Sequence, residues 1–567
     1  MKVIIVGGVA GGASCAARLR RLDETAEILM VERGPYVSYA NCGLPYHVGG
    51  VIEKESSLLV ANEQLFREQF AIDVRTNCEA IEISPKTKIV KLKNVATNEV
   101  TTEPYDKLVL SPGAVSVRPP LPGIDLPGIF HVRTVPDARQ INEWIERGSP
   151  FLSGMYRYSG FQVVKPKIRA VVIGGGFIGL EMAENLIHRG FEVTLIEMID
   201  QVLPPIDVEH ARVVEAYMKR HGLRLALSDG VAGFKKAAND ALEVETKSGK
   251  TYPADVVILA LGVRPDTTLA KMAGLKIGER GGIRVDEQMR TSDPDIFAVG
   301  DAVEVKDFVT GEWSLIPLAG PANRQGRIAA DVIAGRNARF RGTQGTSIIG
   351  LFGAAIAWTG VSEKTLKRIG DTDYEKIYLY PNSHAGYYPG AKPIAMKVLF
   401  RKSDGRLLGA SALGEDNVDK RISTFAAMLQ MGATIFDLEE AELCYAPPFG
   451  SAKDPVNFAG MVAADVLKGD MPLSHWDTAK EGFLLDVRET FELAVENVPG
   501  TVHIPIGQLR GRLAELPRDR DINVICRSGQ RAYIATRMLL QKGFKARTIS
   551  GGMLSLAHNY LLEPNQL

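Results

Sequence analysis

Two cysteines stand in settings that could do chemistry. The first lies in Ser38-Tyr39-Ala40-Asn41-Cys42-Gly43-Leu44-Pro45-Tyr46. Asn41 before Cys42 and Gly43 after it suit the entry to a helix. The thiolate is the reactive form of cysteine, and an unperturbed thiol of pKa about 8.5 is only about 3% ionised at pH 7. Backbone N–H groups at a helix start can lower that value by several units. Cys42 is therefore expected to be an ionised redox thiol; the alternative is a small buried core cysteine. The second, Cys526, opens Cys526-Arg527-Ser528-Gly529-Gln530-Arg531 after the apolar run Ile522 to Ile525. A loop of this composition wraps backbone N–H groups around a thiolate or a bound anion, with Arg527 and Arg531 adding positive charge.

The segments around Cys42 are built to hold nucleotides. Apolar Val3 to Val6 runs into Gly7-Gly8-Val9-Ala10-Gly11-Gly12, an alanine-rich helix over 13–22, and apolar Ile28 to Val31 ending in Glu32. In that order the glycine turn brings backbone against a pyrophosphate at a helix N-terminus, and the acid accepts from a ribose hydroxyl. Val9 stands where the pattern wants its second glycine. A second unit is complete: Ala170 to Ile173, then Gly174-Gly175-Gly176-Phe177-Ile178-Gly179, a helix over 180–188, and Val193 to Ile196 ending in Glu197. Glu197 lies about 20 residues past its turn, where a carboxylate bonds the adenosine ribose diol and repels a 2′-phosphate. Met198-Ile199-Asp200-Gln201 supplies no Arg or Lys, so NADH is expected over NADPH. Val256 to Pro265 and Thr291 to Asp301 are further apolar strands that end in turns, the latter in Gly300-Asp301. Two dinucleotide turns with a thiol between them imply one electron path, from nicotinamide through a flavin to sulfur. The alternative is a pair of Rossmann units kept for regulation.

The chain's 567 residues are too many for one core and predict three or four domains. Zero formal net charge excludes the electrostatic footprint of a nucleic-acid or anionic-membrane binder. Five dispersed cysteines make no disulfide framework, and with the histidines they lack metal-ligand spacing, so no metal is expected. They fit a reducing compartment. The N-terminal apolar part is too short for a signal peptide and no apolar run approaches 18 residues, which predicts a cytoplasmic protein. Cys15 and Cys78 read as packing residues, and Cys444 adjoins Tyr445. Residues 149–167 show no periodicity and are expected to be an insertion loop.

These motifs carry a family resemblance. From Met1 to about Lys468 the chain resembles the flavin-dependent pyridine nucleotide–disulfide oxidoreductases. Gly300-Asp301 matches the element whose aspartate binds the ribityl chain of FAD. The resemblance implies FAD on Gly7, Gly8, Gly11, Gly12, Glu32, Gly300 and Asp301, and NADH on Gly174, Gly176, Gly179 and Glu197. Most members use two nearby cysteines; here only Cys42 is present. Ser38 to Tyr46, Tyr387-Tyr388-Pro389-Gly390 and Cys444-Tyr445-Ala446-Pro447-Pro448 are similar to the coenzyme A disulfide reductases. That likeness implies that Cys42 pairs with the coenzyme A thiol in a mixed disulfide. Ser14, Arg18, Arg21, Ser38 and Asn41 are implied coenzyme A contacts, Arg18 and Arg21 lying about one helical turn apart to hold phosphates. Tyr387 and Tyr445 are implied to reach the sulfur from the other subunit of a homodimer. Asp486-Val487-Arg488, the Cys526 loop and Gly551-Gly552 resemble a rhodanese domain, with Cys526 as persulfide carrier.

The expected fold class is α/β: two Rossmann-like FAD/NAD(P)-binding domains, an α+β dimerisation domain and a C-terminal α/β rhodanese domain. The expected boundaries are 1–112 with 254–322 for FAD, 113–253 for NADH, 323–460 for dimerisation, 461–473 as linker, and 474–567 for rhodanese. The expected activity is NADH-dependent reduction of coenzyme A persulfide, polysulfide or disulfide. Two alternatives stand beside it. One is an NADH oxidase or peroxidase cycling the cysteine through sulfenic acid, a branch that usually carries a histidine where this chain has Ala10. The other is a low-turnover sulfur carrier or redox sensor.

Overall fold

The computed structural model describes residues 1–147, 157–159, 162–164, 167–237, 241–479 and 482–559. The chain divides into two compact units, Met1–Asp200 with Gly222–Gly345, and Gln201–His221 with Thr346–Leu567.

The first unit holds two five-stranded parallel sheets. One is ordered Ile296–Ala298, Lys107–Leu110, Lys2–Val6, Glu27–Val31, Asp73–Arg75. Its central strands are apolar at nearly every position because both faces are covered, as parallel sheets require. Helix Ala10–Arg20 packs against helix Ala319–Ile333, so closely that a Cβ on Gly326 would lie 2.1 Å from the Gly11 carbonyl oxygen. Residues 323–345 therefore group with the first unit, although the expected dimerisation segment begins at 323. The other sheet is ordered Arg224–Ala226, Glu192–Ile196, Arg169–Ile173, Val256–Leu259, Ile129–His131. Val256–Leu259 thus completes the second sheet rather than opening the return to the first. That return runs through an antiparallel pair, Ala114–Ser116 with Val263–Pro265. Within the expected insertion at 149–167, Arg157–Ser159 pairs antiparallel with Gln162–Val164; residues 148–156, 160–161 and 165–166 lie outside the described residues.

The second unit begins with an antiparallel sheet ordered Ser347–Leu351, Ala354–Gly360, Leu407–Gly414, Ile394–Arg401, Tyr374–Leu379. Helices Val418–Gln430 and Pro455–Leu467 accompany it. The second helix occupies 461–467 of the expected linker. A smaller parallel sheet follows, ordered Leu473–Ser474, Ala546–Ile549, Ile522–Ile525, Phe483–Asp486, Val502–His503. The two sheets are tied within this unit: the Tyr378 N–H donates to Ser550 Oγ at 3.1 Å, and His475 Nε2 lies 3.0 Å from Glu375 Oε1. Lys397 of the antiparallel sheet is fully buried. Its ammonium is held by Asp207 at 2.9 Å, Glu209 at 2.9 Å and Glu363 at 2.7 Å. A buried ammonium survives only when it is paired in this way.

Candidate active site

The two glycine turns are built alike. A Cβ on Gly12 would lie 1.9 Å from the Gly7 carbonyl oxygen, and one on Gly179 1.9 Å from that of Gly174. Each third glycine thus lets its helix approach its strand. Around Gly176 the space is open, with nothing within 4 Å of a Cβ, so backbone there can meet a pyrophosphate. The acids are fixed alike too. Glu32 accepts from the Gly8 N–H at 2.9 Å and the Gly34 N–H at 2.8 Å; Glu197 accepts from Gly175 at 2.7 Å and Ile199 at 3.0 Å. Each carboxylate is held at a strand end with lone pairs left over for a ribose diol. Met198 and Ile199 beyond Glu197 are exposed. Asp301 sits on the turn Gly300–Ala302, where it accepts from Arg133 Nη2 at 3.1 Å.

Cys42 lies on a single 3-10 turn, Asn41–Gly43, that leads into the five-residue helix Leu44–Val48. Ser38 holds the approach in the left-handed region at φ +46°, unusual for a residue with a side chain. Its N–H bonds the Gly8 carbonyl at 2.8 Å and its own carbonyl accepts from Val60 at 2.9 Å, which pins the loop to the first glycine turn. Asn41 Nδ2 donates to the Arg133 carbonyl at 3.0 Å. The expected lowering of the Cys42 pKa is not found. Partial burial of the sulfur pushes the thiol up, the Glu181 and Asp301 carboxylates push it further, and Arg133 opposes them. The residue itself is exposed and keeps much of its hydration, so the carboxylates are the firmer cause. One 3-10 turn and a short helix align too few amides to outweigh them.

Three neighbours of Cys42 escaped the sequence reading: Arg133, Tyr46 and Glu181. Glu181 carried a signal, an acid between Leu180 and Met182 just after Gly179. Burial pushes its carboxyl up to about 7, against a hydrogen bond from the Tyr46 hydroxyl at 3.3 Å.

Ser14 donates to Asn323 Oδ1, a partner the sequence did not reveal. Arg18 is already paired, donating to Asp331 from Nε at 3.1 Å and Nη2 at 2.8 Å. Arg21 is exposed at the helix end, 5.9 Å from the Phe70 ring centre. In the second unit Tyr387 and Tyr445 come together, their hydroxyls 2.8 Å apart and both rings exposed. That bond raises the Tyr387 pKa. Cys444 beside them is exposed.

Cys526 is 1% exposed, at the end of its strand. The Gly529 N–H donates to its Sγ at 3.1 Å, just before helix Gln530–Gln541. Arg527 is exposed, but Arg531 is not a free cation: it grips Glu492 at 2.6 and 2.8 Å and holds that carboxyl down to about 2. Among the described residues all five cysteines are free thiols, no three His, Cys, Asp or Glu side chains are grouped to hold a metal, and no helix is long and apolar enough to cross a membrane.

Comparison with known proteins agrees with this layout. Residues 1–326 match the family model described as pyridine nucleotide-disulphide oxidoreductase, 347–455 its dimerisation domain, and 472–558 the rhodanese-like domain. An NADH oxidase of Methanocaldococcus jannaschii is 35% identical, over 82% of this chain and 99% of its own length. A coenzyme A disulfide reductase of Staphylococcus haemolyticus is 34% identical, over 82% of this chain and all of its own. The structure of reduced Bacillus anthracis CoADR-RHD superposes with a TM-score of 0.93 at 46% identity, covering 98% of both chains. That of an NAD-dependent persulfide reductase from A. fulgidus superposes at 0.88 and 38% identity, covering 98% of this chain and 100% of that one. With its paired nucleotide turns, its antiparallel domain and its cysteine-loop domain all matched in order, the chain belongs to the pyridine nucleotide-disulphide oxidoreductase family.

Proposed function

We propose that the protein is an NADH-dependent FAD enzyme that reduces coenzyme A persulfide, and related polysulfide or disulfide, to coenzyme A thiol and sulfide. One observation carries this: Cys42 is a reactive-loop thiol with no second cysteine beside it, so its disulfide partner comes from outside the chain. The layout shared with the persulfide reductase over nearly the whole chain supports the substrate class. The buried Cys526, with an amide at its sulfur, supports a role for the last domain in handling sulfane sulfur.

The residues present fit the two nucleotides. Gly7, Gly8, Gly11, Gly12, Glu32, Gly300 and Asp301 would hold FAD; Gly174, Gly176, Gly179 and Glu197 would hold NADH, through the open space at Gly176 and the anchored carboxylates. When bound, the flavin supplies two-electron transfer between nicotinamide and sulfur. Ser14, Arg18, Arg21, Ser38 and Asn41 hold the coenzyme A. The Cys42 thiolate attacks the carbon-bound sulfur of the persulfide, forms the Cys42–coenzyme A disulfide and expels hydrosulfide. Two electrons and a proton then return Cys42 as thiolate and coenzyme A as thiol. Tyr387 and Tyr445 of the partner subunit in a homodimer deliver the proton to the leaving thiolate. The five free thiols fit a reducing compartment, the cytoplasm.

Intact-mass analysis of the oxidised, unreduced protein tests this directly. A Cys42 adduct of coenzyme A mass is expected, together with NADH-driven sulfide release that Cys42→Ser abolishes. A bridge from Cys42 to another cysteine of the same chain would overturn the reading. The M. jannaschii relative favours a second reading, an oxidase; rapid oxygen consumption with no sulfide above the Cys42→Ser control would establish it.

A further inference from the structure

The helix that starts at the second glycine turn, Phe177–His188, is fastened to the Cys42 helix at three places. Arg189 Nη1 donates to the Val48 carbonyl at 2.6 Å. Asn185 sits so near Gly49 that a Cβ there would lie 2.1 Å from its Oδ1. The third place is the Tyr46 hydroxyl on Glu181 Oε1 at 3.3 Å. The groups that act on the Glu181 carboxyl are Tyr46 from the Cys42 helix and Glu184 from its own; no cation among the described residues neutralises it. Cys42 in turn feels Glu181, Asp301 and Arg133, and Tyr46 feels Glu181, Glu184 and Cys42.

We infer that Glu181 is a positioning residue that sets the ionisation of Cys42, so that the Glu181 carboxyl, the Tyr46 hydroxyl and the Cys42 thiol carry one negative charge among them rather than two. The physical reason is that two acids that act on each other do not ionise independently; the loss of a proton from one holds the proton on the other, and Arg133, the cation that opposes them at Cys42, is already paired with Asp301 at 3.1 Å. The exchange balances without a co-reactant: Cys42 thiolate and neutral Glu181 become Cys42 thiol and Glu181 carboxylate. The direction of both groups agrees, the carboxyl raised by burial to about 7 and the thiol raised by burial first and then by the Glu181 and Asp301 carboxylates. The inference rests on Cys42 being the reactive thiol of the proposed enzyme, but not on which sulfur compound is its substrate.

The test therefore reads ionisation rather than turnover. The alkylation rate of Cys42 by iodoacetamide is followed in the reduced holoenzyme from pH 5.5 to 9, with peptide mass mapping to confirm the site. Glu181→Gln, which keeps the shape and removes the charge, is expected to move the midpoint down by about one unit and to speed alkylation at pH 7.5 about fivefold. Tyr46→Phe removes the bond that favours the ionised carboxyl, so its rate is expected to fall between the two; it carries the test should Glu181→Gln fail to fold. Profiles of Glu181→Gln or Tyr46→Phe that superimpose on the wild type, or a slower Glu181→Gln, would overturn the inference. Loss of sulfide release with an intact alkylation shift would instead count against the substrate reading alone.

Discussion

Glu32 and Glu197 are each held by two main-chain N–H donors at a strand end, so their carboxylates point the same way without help from a nucleotide. That rigidity is what makes a carboxylate discriminate: a 2′-phosphate brought against a fixed negative charge meets repulsion and no cation, since Met198 and Ile199 follow Glu197. Glu197→Ala removes the repulsion and the ribose bond together. The NADH-to-NADPH ratio of kcat/KM is expected to fall about tenfold or more, mostly through a weaker NADH reaction, because a lost charged hydrogen bond costs roughly 1.5–3 kcal/mol. An unchanged ratio in steady-state assays would show that another residue chooses the nucleotide. Arg18 and Arg531 make the complementary point. Each was expected to offer a free positive charge to an anion, and each is already committed, to Asp331 and to Glu492. An arginine shared in this way contributes geometry more than net charge.

At the scale of elements, the same glycine pattern does two separable jobs, and substitutions separate them. Gly179→Ala places a methyl 1.9 Å from the Gly174 carbonyl oxygen, so the helix must back away from its strand; overpacking of this kind costs about 1–3 kcal/mol. Gly176→Ala has open space and costs the fold little, but the methyl stands where a pyrophosphate approaches. The expected outcome is a lower melting temperature for Gly179→Ala, and for Gly176→Ala a nearly unchanged melting temperature with a KM for NADH raised severalfold. Equal melting temperatures would contradict the assignment. The turns were legible in the sequence because their chemistry is local: strand, glycines, helix and acid lie within one stretch. The partners were not, because Asn323, Asp331 and Glu492 come from far along the chain and no periodicity announces a contact. Which sheet a strand joins is hidden for a related reason. Val256–Leu259 is an apolar strand whichever sheet it joins, and only its pairing with Arg169–Ile173 assigns it. Glu181 was visible as an acid between apolar neighbours, but its burial beside Tyr46 depends on two helices meeting.

At the scale of the whole chain, the two thiols of the proposed sulfur chemistry differ in character. Cys526 is buried with an amide at its sulfur, whereas Cys42 is exposed. Cys526→Ser is expected to spare reduction of free small persulfides while abolishing sulfur transfer from thiosulfate; equal losses in both assays would contradict separate roles. The stability of the second unit turns on a different feature, the buried Lys397 with Asp207, Glu209 and Glu363. Burial alone would raise the Glu209 pKa, but Lys397 and the Tyr378 hydroxyl win and hold it down to about 2; Glu363 is likewise lowered, chiefly by Lys397 and then Lys376. His210, fully buried, is held down to about 4. For the histidine, the unfolded chain takes up a proton near pH 6.5 that the folded chain refuses until about 4, so stability falls as pH drops through that window. The two glutamates contribute stability that is complete above about pH 4.5 and is lost as pH falls toward 2. Lys397→Met leaves Asp207 and Glu209 buried without this cation and Glu363 with Lys376 and Lys367 only, a change that costs about 3–5 kcal/mol at pH 7. Without the ammonium Glu209 and Glu363 protonate more readily, so acid relieves the variant while it weakens the wild type. Calorimetry at pH 7 and pH 4.5 should therefore show the gap between the two proteins narrowing in acid; a gap that stays constant would mean that Lys397 acts through packing rather than through its charge.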